Sequence, residues 1–501
     1  MARIDLRMNE LRIRLLEGKS GSETAMQTLR RQNASLHATD QLCRSILSPL
    51  RRLPAEILSF IFLLSTPTIS EVRYVPWYEY LLWSPWTLGR VCRRWRSVAL
   101  TSPALWSFII IRNTGDEGSE FHSLPMLEAQ LTRSGTSPLD IVFDYESFRD
   151  DSESGEEVAQ DVLEAFARHS SRWKSLYITA TQFTRLSSVR GRLPLLEKLA
   201  VWGRDEEAIY GSGASTPPVI AYFSIAPRLR SVEVDEGFPF FDLPWDQLTR
   251  YEALGPWGAH ISALRYLKNA ELCSLTIAHE ADLEDPYTWR DRTVQLLKLR
   301  QLKVTTECFF HGIEDYWVWP KWLRVPNLTE LAIPDGLLHA LPQFQQASMF
   351  SLTKLHIIVG CPEVEALRRV LLCNPDISEL MLPLGGHIRS RDFTHSKVPA
   401  LLDLLTIRPH DPRPDLLPKL ETLVLHLHEN DKDADALGKM IASRWRTTRL
   451  HSVHAVDIGP ELTPKLNRMK SEGMSVFIRS TQWRTLDHNY GDDASPFQLG
   501  R

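Results

Sequence analysis

Apolar residues follow two different periods in this chain, one near the N-terminus and one over most of the remainder. From Leu53 to Leu64 only Glu56 and Ser59 are polar, which predicts a short helix that is apolar on nearly every side. Pro54 suits the first turn of that helix, because its φ is already helical and its missing N–H needs no partner there. Such a helix requires burial on every side.

A second apolar stripe follows after an interruption and predicts one amphipathic helix. Its apolar members recur mostly at three-residue steps: Leu88, Val91, Cys92, Trp95 and Val98. The opposite side carries four basic residues: Arg90, Arg93, Arg94 and Arg96. One amphipathic helix can cover only one side of the first helix, so the remaining apolar side is best interpreted as a docking face for another protein.

These blocks resemble an F-box. The residues that carry the resemblance are Leu53-Pro54-x-Glu56-Ile57-Leu58-x-x-Ile61-Phe62, then Val91-Cys92-x-x-Trp95, and finally Ser102-Pro103-Ala104-Leu105-Trp106. The resemblance covers residues 49–64 and 86–109, and it departs from the compact pattern at an aromatic, proline-bearing insertion over 67–85. F-boxes are small helical modules that bind a Skp-type adaptor and so join a cullin–RING ubiquitin ligase.

The resemblance implies which residues meet the adaptor. Those expected to form the adaptor-facing surface are Leu53, Pro54, Ile57, Leu58, Ile61 and Phe62. Those expected to pack the helical hairpin and border the interface are Val91, Cys92 and Trp95. Glu56 would favour the helix N-terminus through the helix dipole. The alternative is a hydrophobic helical hairpin inside an ordinary core.

From about residue 124 onward a phrase recurs: an apolar residue, two others, an apolar residue, one other, an apolar residue. Counted on the middle apolar position, its copies fall at 176, 199, 232, 251, 275, 302, 331, 355, 380, 405, 423 and 453. The spacing averages about 25 residues, which is typical of leucine-rich repeats. Each copy is predicted to form a short strand that must stack on its neighbours to bury its apolar side.

The sequence therefore predicts a mixed α/β chain of four parts. These are a helical or weakly coiled-coil lead-in (1–48), a helical F-box-like module (49–110), an irregular leucine-rich-repeat-like α/β solenoid (124–480) and a disordered tail (484–501). The copies lack the regular Asn of the plain leucine-rich consensus. An α/β domain whose parallel strands share the same phrase therefore stays open.

Composition restricts the possible function classes. The 501 residues carry a formal net charge of −4 without a polybasic block, so nothing favours binding to nucleic acid or to an anionic membrane. No stretch approaches the roughly 18 apolar residues that a membrane span requires. The six cysteines are scattered without a CxxC pair, which suits reduced thiols in the cytoplasm or nucleus.

Motifs for catalysis and metal binding are weak. Gly18-Lys19-Ser20 resembles the end of a phosphate-binding loop, but Ile13 stands where the first glycine is required. His426 and His428 share one face of a predicted strand, and a metal there would need a third ligand. A polar strand face is the simpler interpretation. We expect no intrinsic catalysis, no cofactor and no metal.

Taken together, the two halves resemble a substrate-recognition subunit of an SCF-type ubiquitin ligase. A Skp-type adaptor, and through it a cullin, would bind the F-box-like module, while the solenoid would hold an unidentified protein target. Such a subunit acts by proximity, and its partners perform the chemistry. Two alternatives stay open: a scaffold that uses the F-box and repeats without a cullin, and a solenoid that binds a small molecule or conceals an enzyme.

The target would bind a concave face of the solenoid. On each predicted strand, the residue between the two inward positions is expected to point to that face. These residues are Tyr177, Ala200, Glu233, Glu252, Thr276, Lys303, Ala332, His356, Met381, Thr406 and Val424. They share no dominant charge and no aromatic cluster, so they identify no target.

Overall fold

The computed structural model of this chain has a mixed α/β fold, as predicted. It describes residues 23–47, 53–66, 84–113, 124–145, 153–183, 185–202, 220–235, 241–255, 257–277, 293–306, 322–358, 360–384, 397–408, 416–427, 433–456 and 458–479. Most of the insertion predicted at 67–85, and the whole tail predicted at 484–501, lie outside these residues.

Helices and strands alternate along most of the described chain. The helices are α1 (Glu23–Leu47), α2 (Ala55–Ser65), α3 (Pro85–Val91), α4 (Arg93–Leu100), α5 (Leu124–Arg133), α6 (Glu153–Arg168), α7 (Ala180–Phe183), α8 (Trp257–Leu264), α9 (Leu341–Ser348), α10 (Val364–Cys373), α11 (Lys397–Leu405), α12 (Ala434–Thr447) and α13 (Leu462–Ser471). The strands are β1 (Phe108–Asn113), β2 (Leu139–Tyr145), β3 (Trp173–Thr179), β4 (Lys198–Trp202), β5 (Ser231–Asp235), β6 (Arg250–Gly255), β7 (Leu272–Ile277), β8 (Val294–Gln295), β9 (Gln301–Thr306), β10 (Leu323–Arg324), β11 (Glu330–Ile333), β12 (Lys354–Ile357), β13 (Glu379–Pro383), β14 (Thr422–His426), β15 (Ser452–Val456) and β16 (Ser475–Arg479).

The chain forms two compact units. Unit 1 comprises Met1–Ile109 and Pro125–Ser137, and unit 2 comprises Ile110–Leu124 and Pro138–Arg501. Nearly all of α5 therefore belongs to unit 1, whereas the sequence placed the second domain from residue 124 onward. In the predicted lead-in, the described residues form the single helix α1.

Unit 1 contains helices α1 to α4 and returns through α5. A 3-10 turn at Pro103–Trp106 follows α4 and leads into β1. The side chain of Gln130, in α5, donates to the backbone carbonyl of Phe108 over 2.9 Å. This buried bond ties α5 to the start of β1 within the unit.

In unit 2, the strands lie side by side in chain order. Among the described residues, β1 to β7, β9 and β11 to β16 form one sheet of 14 strands, while β8 and β10 form a separate parallel pair. Every neighbouring pair from β2 to β16 in the large sheet is parallel. Parallel neighbours need a crossover between them, and the intervening helices and turns supply it.

The predicted middle apolar positions form buried rows across this sheet. One row joins Leu176, Leu199, Val232 and Tyr251, and another joins Leu302, Leu331, Leu355, Leu380, Leu423 and Val453. All ten are at most 2% exposed. The phrase in the sequence therefore marks strands correctly at these ten positions.

The copy centred on Leu275 is wrong by two residues. In the sheet, Tyr251 pairs with Cys273, which in turn pairs with Leu302, so Cys273 is the middle position of β7. Leu275 and Ile277 are buried as well, because alternate residues of a strand point to the same side. Because several alternate residues of this strand are apolar, the phrase can be aligned with the strand in positions that differ by two residues.

The copy centred on Leu405 is wrong in kind. Residues 397–405 form α11, in which Leu401, Leu402 and Leu405 are buried. A spacing of three residues between leucines also satisfies one face of a helix, so the phrase alone does not exclude a helix here. The sheet passes directly from β13 to β14.

Backbone hydrogen bonds repeat along the amino edge of the sheet. Beginning with Glu197, the N–H at the entrance of each strand bonds to the carbonyl at the same place in the preceding strand, over 2.8 to 3.1 Å. The donors are Glu197, Arg230, Thr249, Glu271, Arg300, Thr329, Thr353, Ser378, Glu421, His451 and Ser475. This edge is therefore regular from β3 to β16.

The carboxyl ends of the strands are connected differently. After β4 ends at Trp202, the next described residue is Ile220; after β7 ends at Ile277, it is Thr293. Since the strands are parallel, their carboxyl ends share one edge of the sheet. The chain thus leaves each of these strands from the edge opposite the regular one.

Candidate functional site

Helix α2 begins at Ala55, so Pro54 precedes the helix and does not lie in its first turn as predicted. Pro54 stands just before the helix with φ −52° and ψ 151°, and its carbonyl accepts the N–H of Leu58 over 3.1 Å. Glu56 lies in the first turn, where a carboxylate favours the positive end of the helix dipole. The predicted helix is therefore present, with Pro54 at its N-cap.

One side of α2 forms the core of unit 1. Leu58 and Phe62, one turn apart and each 1% exposed, pack with four other buried residues: Val98, Ala99, Leu105 and Trp106. The rings of Phe62 and Trp95 are tilted, with centroids 4.8 Å apart. Ser59 adds a hydrogen bond of 2.8 Å to the hydroxyl of Ser102.

The prediction of a single second helix is wrong. Cys92 is extended, with φ −161° and ψ 168°, so it ends α3 and caps α4. Its sulfur accepts the backbone N–H of Trp95 over 3.4 Å. Leu88 and Val98 still pack on the same core from the two short helices, which is why they satisfy a continuous helical spacing.

Arg133 packs on two tryptophans of unit 1, and no sequence motif predicts this contact. Its guanidinium lies 4.4 Å from the ring centroid of Trp86 and 4.5 Å from that of Trp106. The indole N–H of Trp106 also donates to the carbonyl of Ala99 over 2.8 Å. Because Arg133 is far from both tryptophans in sequence, local periodicity could not connect them.

The other side of α2 is an exposed apolar face. We call it the α2 face, and it consists of Ile57, Phe60, Ile61, Leu63 and Leu64. Phe60 is 58% exposed and Leu64 is 70% exposed. Large apolar side chains clustered on one exposed helix face are a feature of protein-interaction sites.

The structure places the predicted site residues in four environments. Ile57 and Ile61 lie on the α2 face, and Pro54, Val91 and Cys92 are exposed nearby in the sequence blocks. Leu53 and Trp95 are half-buried. Leu58 and Phe62 lie in the core, so they support the α2 face from beneath instead of forming it.

Phe60, Leu63 and Leu64 belong to the α2 face but were missing from the predicted set. The sequence could have identified them from the angular position of each residue around the helix. Each residue turns the helix by about 100°, so once Leu58 and Phe62 point inward, Phe60 and Leu64 must point outward. The sequence motif drew attention to Leu58 and Phe62 instead.

The second candidate surface, the outward row of the sheet, is only partly accessible. Tyr177, Glu233, Glu252 and Lys303 are half-buried there. The buried members are Ala200, Ala332, His356, Met381 and Val424. The position in the row that was predicted for Thr276 is occupied by Ser274, which pairs with Glu252 and Lys303. Thr406 lies outside the strands, so both predictions are wrong.

His356 of this row, in β12, forms a polar pair with Glu379 of the adjacent strand β13. The Nε2 atom of His356 is 2.7 Å from a carboxylate oxygen of Glu379. Burial raises the pKa of Glu379, but the hydrogen bond and charge of His356, together with Lys354 and His454, outweigh it and hold the pKa below its ordinary value of 4.5. The ionised carboxylate is therefore favoured by the fold.

This pair predicts a pH-dependent contribution to stability. A depressed pKa stabilises the fold above the unfolded-state pKa, and that stability is lost as the pH falls through the folded-state pKa. We expect the free energy of unfolding of the wild-type protein to exceed that of Glu379→Gln by about 1 kcal/mol at pH 7. This difference should shrink as the pH falls below 4.5. Urea unfolding at a series of pH values measures this difference. Glu271→Gln, at an exposed position, should show no such trend, and an equal trend in both variants would contradict the prediction.

The described part of the chain has neither a cluster of metal-ligating side chains nor a helix able to span a membrane. No group of three or more His, Cys, Asp or Glu side chains there could hold a metal ion. Of the predicted histidine pair, His428 lies outside the described residues, as does Gly18-Lys19-Ser20. No described helix has the length and hydropathy for a membrane span.

Comparison with known proteins adds no identification: no family model matches the chain, and no curated protein matches it. The α2 face is therefore interpreted from its own residues and from the F-box resemblance of its sequence.

Proposed function

We propose that this protein is a substrate-recognition subunit of an SCF-type ubiquitin ligase. In this proposal the F-box-like module in unit 1 binds a Skp-type adaptor through the α2 face, and a cullin joins through the adaptor. Unit 2 acts as an irregular leucine-rich-repeat solenoid and holds the protein target. The chain itself performs no chemistry.

The observation that carries the proposal is the division of α2 between core and surface. Leu58 and Phe62 anchor the helix in unit 1, while five apolar side chains remain outside the core on the α2 face. Covering an apolar side chain stabilises a complex by about 1.5 to 3 kcal/mol when the burial is complete. A face of this size is thus able to support a stable protein interface.

The architecture of unit 2 supports the second half of the proposal. Apart from β8 and β10, its described strands lie in chain order and each bonds to the next strand of that order, which is the arrangement of a stacked repeat. Stacked repeats present long surfaces on which extended or folded proteins bind. Target lysines would be brought close to the ubiquitin-carrying enzyme, and the rate gain would come from proximity.

The test is reconstitution from purified components. Full-length protein is mixed with a purified Skp-type adaptor, with and without purified cullin, and complexes are separated by size-exclusion chromatography. Elution of all three proteins together supports the ligase subunit. Elution with the adaptor alone favours the cullin-free scaffold, and failure to bind the adaptor would overturn both.

A further inference from the structure

The F-box-like module has a charge opposite to that of the whole chain. Residues 49–110 carry seven arginines and three glutamates, with no lysine or aspartate, which gives a formal charge of +4. The arginines are Arg51, Arg52, Arg73, Arg90, Arg93, Arg94 and Arg96. The complete chain has a net charge of −4. Positive charge is therefore concentrated in the module that carries the α2 face.

Four of these arginines form an exposed group on α3 and α4. We call Arg90, Arg93, Arg94 and Arg96 the arginine group, and all four are exposed. No Asp or Glu occurs between Ser84 and Asn113, so α3 and α4 contain no acidic residue. Like charges crowded on a helix repel one another and reduce its stability slightly. This repulsion gives Arg90, Arg93 and Arg96 no evident advantage in folding.

One member of the arginine group contacts the beginning of α2, and the helix that carries it packs on α2. The guanidinium of Arg94 donates to the carbonyl of Leu53, at the entrance of α2. Trp95, between Arg94 and Arg96, packs its ring on Phe62 of α2. Val91, next to Arg90 in the sequence, is an exposed apolar residue at 57%. The charges and the apolar side chains therefore lie on helices in direct contact.

An apolar centre with a charged rim is the common composition of a protein interface. Charges at the rim act over a Debye length of about 8 Å at physiological salt, and they mainly accelerate association with an oppositely charged partner. Binding of a neutral partner would desolvate the guanidinium groups without pairing them, and a basic partner would be repelled by their charge. An acidic partner would be attracted to it.

We propose that the adaptor that docks on the α2 face presents aspartate and glutamate side chains to the arginine group, so that it is selected by charge as well as by apolar contact. This inference rests on the proposed function, because it specifies the chemistry of the partner at the same surface. In this inference the apolar contacts of the α2 face set the affinity for the adaptor, and the arginine group raises the association rate.

The test is a triple variant, Arg90→Ala, Arg93→Ala and Arg96→Ala, in the full-length chain. Arg94 is retained because it bonds to Leu53. Association with a purified Skp-type adaptor is measured by surface plasmon resonance at 50 and 500 mM salt. We expect the association rate of the variant to fall roughly tenfold at 50 mM salt, with little change in dissociation and a weaker salt dependence.

A second triple variant provides the matched control. Arg190, Arg228 and Arg449 are exposed residues of unit 2, and replacing them with alanine removes the same charge. This control should associate as fast as wild type. Equal rates for both triple variants would overturn the inference and leave the proposed function standing. Absence of adaptor binding by wild type would overturn both, and tighter binding to mixed-sequence DNA than to the adaptor would overturn the acidic-protein assignment.

Discussion

Ile57→Asp is expected to abolish adaptor binding while the protein remains folded. Ile57 is 47% exposed in the free chain, so an aspartate there stays hydrated. In the proposed complex the same carboxylate would be buried without a partner. An uncompensated buried charge costs about 3 to 5 kcal/mol, which raises the Kd by roughly 100-fold or more. Isothermal titration calorimetry with a Skp-type adaptor measures this change.

The control for this variant is Leu297→Asp. Leu297 is an exposed leucine of unit 2, and it gives the same change of charge away from the α2 face. Its adaptor affinity should equal that of wild type, and circular dichroism should show that both variants keep their helix and strand content. Normal adaptor binding by folded Ile57→Asp would show that the α2 face is not the docking surface.

Arg444→Leu is expected to destabilise unit 2 by about 3 kcal/mol or more. The Arg444 side chain is 1% exposed, and it donates to the backbone carbonyls of Leu405 over 2.6 Å and Leu416 over 2.8 Å. Leucine fills a similar space but leaves both carbonyls without this donor. Each buried polar group deprived of its partner costs about 1 to 3 kcal/mol. Urea unfolding followed by tryptophan fluorescence measures the loss.

Arg446→Leu is the matched control, because Arg446 lies two residues further along α12 and is exposed. Exposed positions usually tolerate such a change within about 0.5 kcal/mol. A third variant, Arg444→Lys, keeps the charge but lacks the planar group that reaches two separate carbonyls. If all three variants unfolded at the wild-type urea concentration, the guanidinium would have no structural role.

The sequence predicted best those elements whose pattern has a single physical solution. A nearly continuous apolar run after Pro54 permits little except a short helix with a buried side, and α2 is present at that position. Strands with one clear pair of inward residues, such as β12 with Leu355 and Ile357, were placed in the correct frame. In these cases, local periodicity and tertiary packing favour the same structure.

The failures occur where two structures satisfy one pattern. Leu402 and Leu405 fit a strand phrase and a helix face equally well, and packing selected the helix. The break at Cys92 depends on an extended backbone that apolar spacing cannot reveal. Arg133 and Arg444 act across large sequence separations, so only the folded chain shows that they stabilise distant segments.

The candidate site was predicted in part for the same reason. The F-box resemblance identified Ile57 and Ile61, which lie on the α2 face. It also included Leu58 and Phe62, since a sequence motif records which residues matter without separating core from surface. Phe60 and Leu64 become evident only after the inward side of the helix is fixed.

The regular hydrogen bonds along one edge of the sheet have an evolutionary consequence. Since each strand is set in register at its amino end, a connection that leaves a carboxyl end can lengthen or shorten without displacing any neighbour. Changes of length on that edge cost only a loop-closure term that rises slowly, by about 0.6 kcal/mol for each doubling. Insertions and deletions at the carboxyl ends would therefore reshape that edge through evolution while the paired strands stay in register.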